Sequence, residues 1–280
     1  MLLELSNSFF DQPSFYHFNH YESVIDNDCV KSNNPILFYQ MHTRDEDISA
    51  IPIIPDGCMD IVFIFSDNDV ESYIVGATET ISGCDSRRDK FVVGVKFSPG
   101  DARNYFPISS GLLSAKQQPL RTIYDDCETL HKNIMGVRRF NDQVDLIQNY
   151  LTQHYLGGNE KFNLVNYCVK RIICNHGNMK IADLCDETGY TDTYILRLFY
   201  EYVGLRPKQF SEIVRLYNAL RHLLGKRQEN FAETATMFGY VDQSHMNKHF
   251  HKYLHSSIQC IQRNALASGS IDGLSRPYYF

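Results

Sequence analysis

The sequence predicts an α+β protein of two domains, with a strand-rich amino-terminal half and an all-helical carboxy-terminal half. Short runs of β-branched and aromatic residues fill the first hundred positions. After residue 100, apolar residues recur at spacings of three and four, which indicates helices. The helical half contains nearly the same phrase twice, "GYTDTYILRLF" at 189–199 and "GYVDQSHMNKHF" at 239–250.

Length and composition are those of a globular chain with two cores. A chain of 280 residues suits two domains of ordinary size, and 43% of its residues are hydrophobic. The first residues resemble no signal peptide, and no window approaches about 18 uninterrupted apolar residues. We therefore expect a soluble, cytoplasmic protein with no membrane partner.

Charge is divided unevenly between the halves. The net charge is −6, but residues 1–163 hold 13 lysines and arginines against 23 aspartates and glutamates. Residues 164–280 hold 14 basic residues against 10 acidic ones, and six histidines in addition. The net positive carboxy-terminal half is therefore compatible with a nucleic-acid partner, although the whole chain is acidic.

The eight cysteines form no metal or redox motif. They are spread along the chain without a C-x-x-C pair and without ligand spacing to a histidine pair. We expect idle thiols in a reducing compartment, with no metal and no cofactor. Between residues 35 and 97 the strand region also lacks the histidine cluster of a metal-dependent enzyme, because it offers His42 and scattered acids only. No enzymatic activity is expected.

Five segments of the amino-terminal half have the pattern of strands, and turn signals such as Pro55-Asp56-Gly57 separate them. Short strands at this spacing predict a sandwich or a small barrel. The predicted strands are 35–42, 51–55, 59–65, 72–77 and 90–97.

Two amphipathic helices follow the strands within 124–155. Two interpretations of their apolar faces stay open, namely packing against their own barrel and a homodimer interface. Gly157-Gly158-Asn159 is the clearest break in the chain, because paired glycines disfavour a helix. The predicted boundaries are therefore 1–157 for the first domain and 158–163 for the linker.

The segments beyond the linker all have helical periodicity. Several end on a glycine, which is a common residue just past a helix. The predicted helices lie within 162–177, 180–189, 192–204, 207–225, 230–239 and 242–254.

The repeated phrase predicts two helix-turn-helix units. In each, the glycine allows a left-handed turn, and Thr191 or Asp192 in the first unit and Asp242 in the second cap the following helix. Tyr190 and Tyr240 are expected to pack the two helices of each unit together. A helix of about nineteen residues joins the units and spans ~28 Å, whereas adjacent major grooves on one face of DNA lie ~34 Å apart. The second helices of the units are thus predicted to enter adjacent major grooves.

These residues resemble the DNA-binding domain of the AraC/XylS-type bacterial transcription regulators. The resemblance runs from about Leu164 to Gln262, and it rests on "IADLCDETGY", "LRLFYEYVGLRPKQF", "RLYNALRHLL" and "ATMFGYVDQSHMNKHF". It implies a DNA-binding domain over 164–265, followed by a tail at 266–280. The sequence departs from the family where the second unit closes, because His255-Ser256-Ser257-Ile258 replaces the usual Gly-x-Thr-Pro.

The resemblance also implies which side chains contact DNA, although each alone also suits a solvated helix face. Arg197 and Gln243 are the expected base contacts, since arginine pairs with guanine and glutamine with adenine. The positions implied to contact bases are Thr193, Leu196, Arg197, Gln243, Ser244, His245 and Lys248. The expected phosphate contacts are Lys180, Lys208, Arg215 and Lys252.

The amino-terminal half resembles the family's sensory domain, a cupin-like β-barrel followed by helices, in "PDGCMDIVFIF", "IVGATE" and "VGVKFSPGDARNYF". A barrel interior of this kind suits a small effector, and simple filling of the barrel is the equal alternative. The candidate effector residues are Phe38, Met41, Ile61, Phe63 and Phe97.

The function implied is a transcription regulator that binds double-stranded promoter DNA. By analogy with the family we expect an activator that contacts RNA polymerase, controlled by a small-molecule effector and dimeric through 124–155. Two alternatives stay open for the first half: a ligand-free platform for dimerisation or protein interaction, and a metal-dependent cupin enzyme fused to the DNA-binding domain.

Overall fold

The protein is described from a computed structural model. The structure describes residues 18–26, 34–43, 50–80, 82–85, 91–224 and 230–260. The predicted tail at 266–280, and residues 261–265 of the predicted DNA-binding domain, lie outside the described residues.

Eight strands are described, all in the amino-terminal half. They are β1 (Phe18–Asp26), β2 (Ile36–Thr43), β3 (Ala50–Ile53), β4 (Met59–Phe65), β5 (Val70–Val75), β6 (Ser82–Asp85), β7 (Phe91–Phe97) and β8 (Gln117–Pro119). Six form an antiparallel sheet in the order β1-β2-β7-β4-β5-β8, and β3 pairs with β6 in a second sheet. Val95 on the central strand β7 lies opposite Phe38 of β2 and Ile61 of β4. Alternation along the strands therefore places these three side chains on one face of the sheet.

The helices follow the strands. They are α1 (Ser110–Leu113), α2 (Cys127–Met135), α3 (Phe140–Gln153), α4 (Glu160–Cys174), α5 (Ile181–Thr188), α6 (Asp192–Val203), α7 (Pro207–Leu224), α8 (Phe231–Met237) and α9 (Gln243–Leu254). Short 3₁₀ helices lie at Asp101–Asn104 and Leu120–Thr122. In the part of the chain that is described, no helix is both long and apolar enough to cross a bilayer.

The predicted α+β, two-part architecture is confirmed. All five predicted strands are present, and every predicted helix of the carboxy-terminal half is found within a few residues of its expected bounds. The boundary differs in one respect, since α4 begins at Glu160, inside the segment predicted as linker. Asn159 caps this helix by accepting a hydrogen bond from the Phe162 amide at 3.0 Å, and Phe162 is buried.

One core lies between the large sheet and the helices α2 and α3. It joins Phe38, Phe63 and Val95 from the sheet to Ile134 and Ile147 from the helices. Of the two interpretations of these amphipathic helices, packing against their own domain therefore accounts for the apolar faces.

The second core fills the helical half and extends into the first. It contains the apolar faces of α4, α6 and α7 together with Ile54 and Ala77 from the strand-rich half. Polar contacts accompany it, because the Tyr200 hydroxyl donates to the Gly111 carbonyl at 3.0 Å. The two halves are therefore in contact through the end of α6 and the start of α7.

Candidate nucleic-acid interface

The first helix-turn-helix unit consists of α5, a turn at Gly189 and α6. Gly189 has a φ of +73°, the left-handed conformation that glycine adopts at little cost. Thr191 then caps α6, since its hydroxyl accepts a hydrogen bond from the Tyr194 amide at 3.4 Å. Leu184 of α5 and Ile195 of α6 are both buried in the shared core. The predicted turn and cap are confirmed.

The second unit repeats this construction with α8, a turn at Gly239 and α9. Gly239 has a φ of +72°, and the Asp242 carboxylate accepts from the His245 amide at 2.6 Å. An acidic cap is favourable here, because the start of a helix carries partial positive charge. The chain therefore builds the same geometry twice from two phrases of different composition.

The two turn tyrosines differ in position, which corrects one prediction. Tyr240 is buried, with 4% of its surface exposed, and packs within its unit as expected. Tyr190 is 47% exposed and lies outside the core. Its ring instead stacks on Tyr194 with centroids 5.0 Å apart. The expectation that Tyr190 packs the helices of the first unit together is therefore wrong.

The side chains predicted to contact bases are all accessible. Each lies within the first two turns of α6 or α9, and none is buried. Leu196 and Gln243 are partly exposed. The other five are exposed, namely Thr193, Arg197, Ser244, His245 and Lys248. The fold thus presents all seven at the surface, three on the first unit and four on the second.

Arg197 is held by an aromatic pair that the sequence analysis did not include. Its guanidinium carbon lies 5.3 Å from the centre of the Tyr194 ring, which in turn stacks on Tyr190. A cation over an aromatic face is attracted by the ring's electron density. The spacing of four residues between the tyrosines and of three from Tyr194 to Arg197 is the signal that could have revealed this group.

His245 has a defined proton position. Its Nδ1 accepts a hydrogen bond from the Val241 amide at 3.3 Å. In the neutral imidazole the proton then resides on Nε2, which becomes a hydrogen-bond donor. A donor at this position suits the acceptor groups on guanine or thymine in the major groove.

His249, one turn further along α9, serves the interior of the unit. It is 8% exposed, and its Nδ1 lies 2.9 Å from the Tyr240 hydroxyl. Burial lowers its pKa to about 4, so the ring is neutral at pH 7. The neutral ring can accept a hydrogen bond from the Tyr240 hydroxyl, which ties α9 to the turn before it.

The four predicted phosphate contacts fall into two classes. Lys180 and Lys208 are exposed. Arg215 donates to the Gly177 carbonyl at 2.9 Å, and its guanidinium lies 5.7 Å from the centre of the Tyr240 ring. Lys252 pairs with Glu212 at 2.8 Å. Arg215 and Lys252 therefore also make contacts with other residues of the chain.

The candidate effector residues do not lie together. Phe38, Ile61, Phe63 and Phe97 belong to the core between the sheet and its helices, and each is at most 1% exposed. Met41 belongs to a separate apolar cluster with Leu37 and Tyr39. Phe38, Ile61, Phe63 and Phe97 thus fill the core of the domain, and Met41 packs in a separate apolar cluster.

A cavity of about 200 Å³ lies elsewhere, beside β5 and α2. Ser72, Tyr73, Arg121, Glu128 and His131 are among the residues that line it. The lining is therefore polar and carries both signs of charge, unlike the predicted apolar pocket.

Comparison with known families matches each half separately. Residues 184–264 match a family described as a helix-turn-helix domain. Residues 36–119 match a family described as a domain of unknown function, DUF6597. No curated protein matches the chain.

Among solved structures, the chain is similar to ToxT from Vibrio cholerae. A 1.65 Å structure of ToxT shares 10% identity, covers 87% of this chain and 98% of ToxT, and gives a TM-score of 0.41. A second structure is ToxT from strain O395 bound to (E)-4-(8-methylnaphthalen-1-yl)but-3-enoic acid. It shares 12% identity, covers 89% of this chain and 99% of ToxT, and gives a TM-score of 0.42. At these values the likeness carries no information on ligands.

Proposed function

We propose that the protein is an AraC-type, sequence-specific regulator of transcription, whose helix-turn-helix region, matched over residues 184–264, binds two adjacent major grooves. One observation carries the proposal: two capped helices, α6 and α9, each present accessible polar side chains in their first turns. Protein groups must lie at such positions to contact base edges.

The spacing of the units supports this arrangement. They are joined by α7, which has 18 residues and is therefore ~27 Å long. Successive major grooves on one face of DNA lie ~34 Å apart. A rigid connector of nearly this length lets both helices engage one duplex without wrapping around it.

Each unit is proposed to supply its own base contacts. In the first, Arg197 pairs with guanine through its two donors while Tyr194 restricts its motion, and Thr193 and Leu196 flank it. In the second, Gln243 pairs with adenine and His245 donates from Nε2, with Ser244 and Lys248 beside them. The exposed ammonium groups of Lys180 and Lys208 are the stronger phosphate contacts.

The amino-terminal half is proposed to control this activity. A small effector bound there would shift the population of chains able to bind DNA. The ligand-free platform and the metal-dependent cupin enzyme stay as alternatives. Thermal stability of the full chain, measured with a panel of metabolites, separates effector control from the ligand-free platform. A ligand present at 100 times its Kd adds about 2.7 kcal/mol to the free energy of unfolding, whereas a ligand-free platform shows no change.

The remaining parts of the proposal follow from the family. They are activation of transcription in the cytoplasm, contact with RNA polymerase, and a homodimer through 124–155. Because the apolar faces of α2 and α3 are buried in their own domain, such a dimer would use their outer polar faces.

The test is selection of bound sequences from a random duplex pool at two salt concentrations. We expect the full-length protein to enrich two sequence blocks about one helical turn, roughly 10 base pairs, apart. Arg197→Ala should relax one block and Gln243→Ala the other, each by about 1–3 kcal/mol. Lys116→Ala, at an exposed position in the other domain and outside 124–155, is the matched control.

Two results would contradict the proposal. One is an absence of enrichment at either salt with a panel of candidate effectors present. The other is enrichment that neither Arg197→Ala nor Gln243→Ala alters, because the two units would then contribute no base contacts.

A further inference from the structure

A cysteine, a glutamate and a histidine meet at the start of α2. Cys127 is the first residue of the helix, Glu128 follows it, and His131 lies four residues after the cysteine on the same helix face. One potential ligand atom from each lies within 4.8 Å of the other two. Cys127 and His131 are buried, whereas Glu128 is exposed.

These three side chains are the ligand types that zinc selects in proteins. Thiolate, imidazole and carboxylate ligands bind Zn²⁺ at about 2.3, 2.0–2.1 and 2.0–2.2 Å. Two such ligands of a tetrahedral ion lie roughly 3.6 Å apart. Side-chain rotations that shorten the present separations by up to about 1 Å would complete the geometry.

Ser72 on β5 already holds the histidine in place. Its hydroxyl oxygen lies 2.7 Å from His131 Nε2, and both side chains are buried. Histidine ligands commonly use their second nitrogen in this way, which fixes the ring and its tautomer. With Nε2 hydrogen-bonded to Ser72, Nδ1 is the nitrogen left to bind a metal.

The cavity beside β5 and α2 supplies access. It has a volume of about 200 Å³, and Glu128 and His131 line it together with Ser72 and Arg121. Three protein ligands leave one position of a tetrahedral ion open to water or a small ligand. We propose that Cys127, Glu128 and His131 bind one Zn²⁺ ion whose fourth position faces this cavity.

Proton release is a direct consequence of such binding. A free thiol is ordinarily protonated at pH 7, whereas the thiolate is the form that binds a metal. Each bound ion therefore displaces the cysteine proton into solvent. The expectation of no metal rested on the missing C-x-x-C motif, the missing spacing to a histidine pair and the scarce histidines of the strand region, whereas this site uses a Cys-x-x-x-His spacing within one helix.

The experiment titrates Co²⁺ into chelator-treated full-length protein and then adds Zn²⁺ as competitor. We expect one Co²⁺ per chain, a thiolate-to-cobalt charge-transfer band, and loss of the band when Zn²⁺ displaces the cobalt. Cys127→Ser should abolish the band, His131→Gln should weaken binding at least 100-fold, and Ser72→Ala should weaken it 10- to 100-fold. Cys174→Ser, on α4, is the matched control and should keep the band.

A protection measurement keeps the test decisive if Cys127→Ser does not fold. Because Cys127 is buried, its alkylation in the wild-type chain requires local opening of the structure. Zn²⁺ should slow this alkylation, as measured over time by mass spectrometry, and leave the rate at Cys174 unchanged. The proposal is overturned if the wild-type protein gives no charge-transfer band, if the band survives in folded Cys127→Ser, or if Zn²⁺ does not protect Cys127.

Discussion

His255 ends α9 in a backbone conformation that side chains rarely adopt. Its φ is +50° and its ψ is 22°, whereas the corresponding residue after α6 is Gly204 with a φ of +81°. Holding a residue other than glycine in this left-handed conformation costs about 1–2 kcal/mol. Glycine removes this cost, but it also makes the unfolded chain more flexible, which offsets part of the gain in stability. We predict that His255→Gly raises the free energy of unfolding by about 1 kcal/mol, as measured by urea denaturation.

The reverse substitution in the first unit is the control. Gly204→Ala adds the same backbone strain and also places a Cβ 2.9 Å from the Ser110 carbonyl oxygen. It should therefore destabilise the protein. A loss of stability in His255→Gly would instead mean that the imidazole makes contacts worth more than the strain.

At the scale of single residues, local roles were predictable and distant partners were not. The predicted caps, Thr191 or Asp192 in the first unit and Asp242 in the second, could be narrowed to these residues because a cap acts on amides only a few residues away, and the structure shows Thr191 and Asp242 as the caps. Arg215 was assigned to phosphate, yet its hydrogen-bond partner Gly177 lies 38 residues earlier. Lys252 pairs with Glu212, 40 residues away. Such groups meet only in the folded chain. The sequence therefore identified the charged residues but could not identify their partners.

At the scale of elements, the second helix-turn-helix unit depends on a neutral histidine. The pKa of buried His249 is lowered to about 4 from an ordinary value near 6.5. As pH falls below 6.5 the unfolded chain binds a proton before the native chain does, so native stability falls with pH. The stabilisation is complete at pH 7 and is lost progressively down to about pH 4.

The prediction is a pH-dependent loss that one variant removes. Between pH 7 and pH 5, this group should lower the free energy of unfolding by about 2 kcal/mol. His249→Gln lacks the titrating ring and should show a smaller pH dependence than wild type by that amount. His251→Gln, exposed on the same helix, should keep the wild-type dependence. Urea denaturation at pH 7 and at pH 5 gives the change in the free energy of unfolding for each protein. An equal change in all three proteins would contradict the assignment.

The elements that the sequence predicted are those with strong periodicity or apolar content. β4 reads "MDIVFIF" and alternates buried with less buried residues, so its pattern was clear. β6 has four residues and β8 has three, and both are held by pairing with β3 and β5 respectively. Segments this short carry no period of their own, because their conformation depends on strands elsewhere in the chain.

At the scale of the whole molecule, the main surprise is how closely the halves join. Ile54 and Ala77 of the strand-rich half are buried in the core of the helical half. The Ser109 hydroxyl also donates to the Glu201 carbonyl at 3.4 Å, near the end of α6. Composition and periodicity describe each half alone, so they could not reveal this contact. A structural change in the first half can therefore reach the first helix-turn-helix unit through direct contacts.

Two glycines allow this contact to be measured. Gly57 and Gly157 both have positive φ, +74° and +87°, so alanine strains the backbone by about 1 kcal/mol at either site. At Gly157 the added Cβ has no atom within 4 Å, whereas at Gly57 it lies 2.6 Å from the Phe210 ring. Phe210 is fully buried at the start of α7 and contacts Phe199 of α6.

Because the Phe210 ring cannot move into solvent, the collision at Gly57 must separate the two halves or distort the core, at a further cost of about 1–3 kcal/mol. We predict that Gly157→Ala lowers the free energy of unfolding by about 1 kcal/mol and Gly57→Ala by about 3 kcal/mol, as measured by urea denaturation of the full chain. The unfolding of Gly57→Ala should also broaden into two steps as the halves lose their coupling. Equal losses in the two variants, each with a single sharp transition, would show instead that the contact between the halves contributes little to stability.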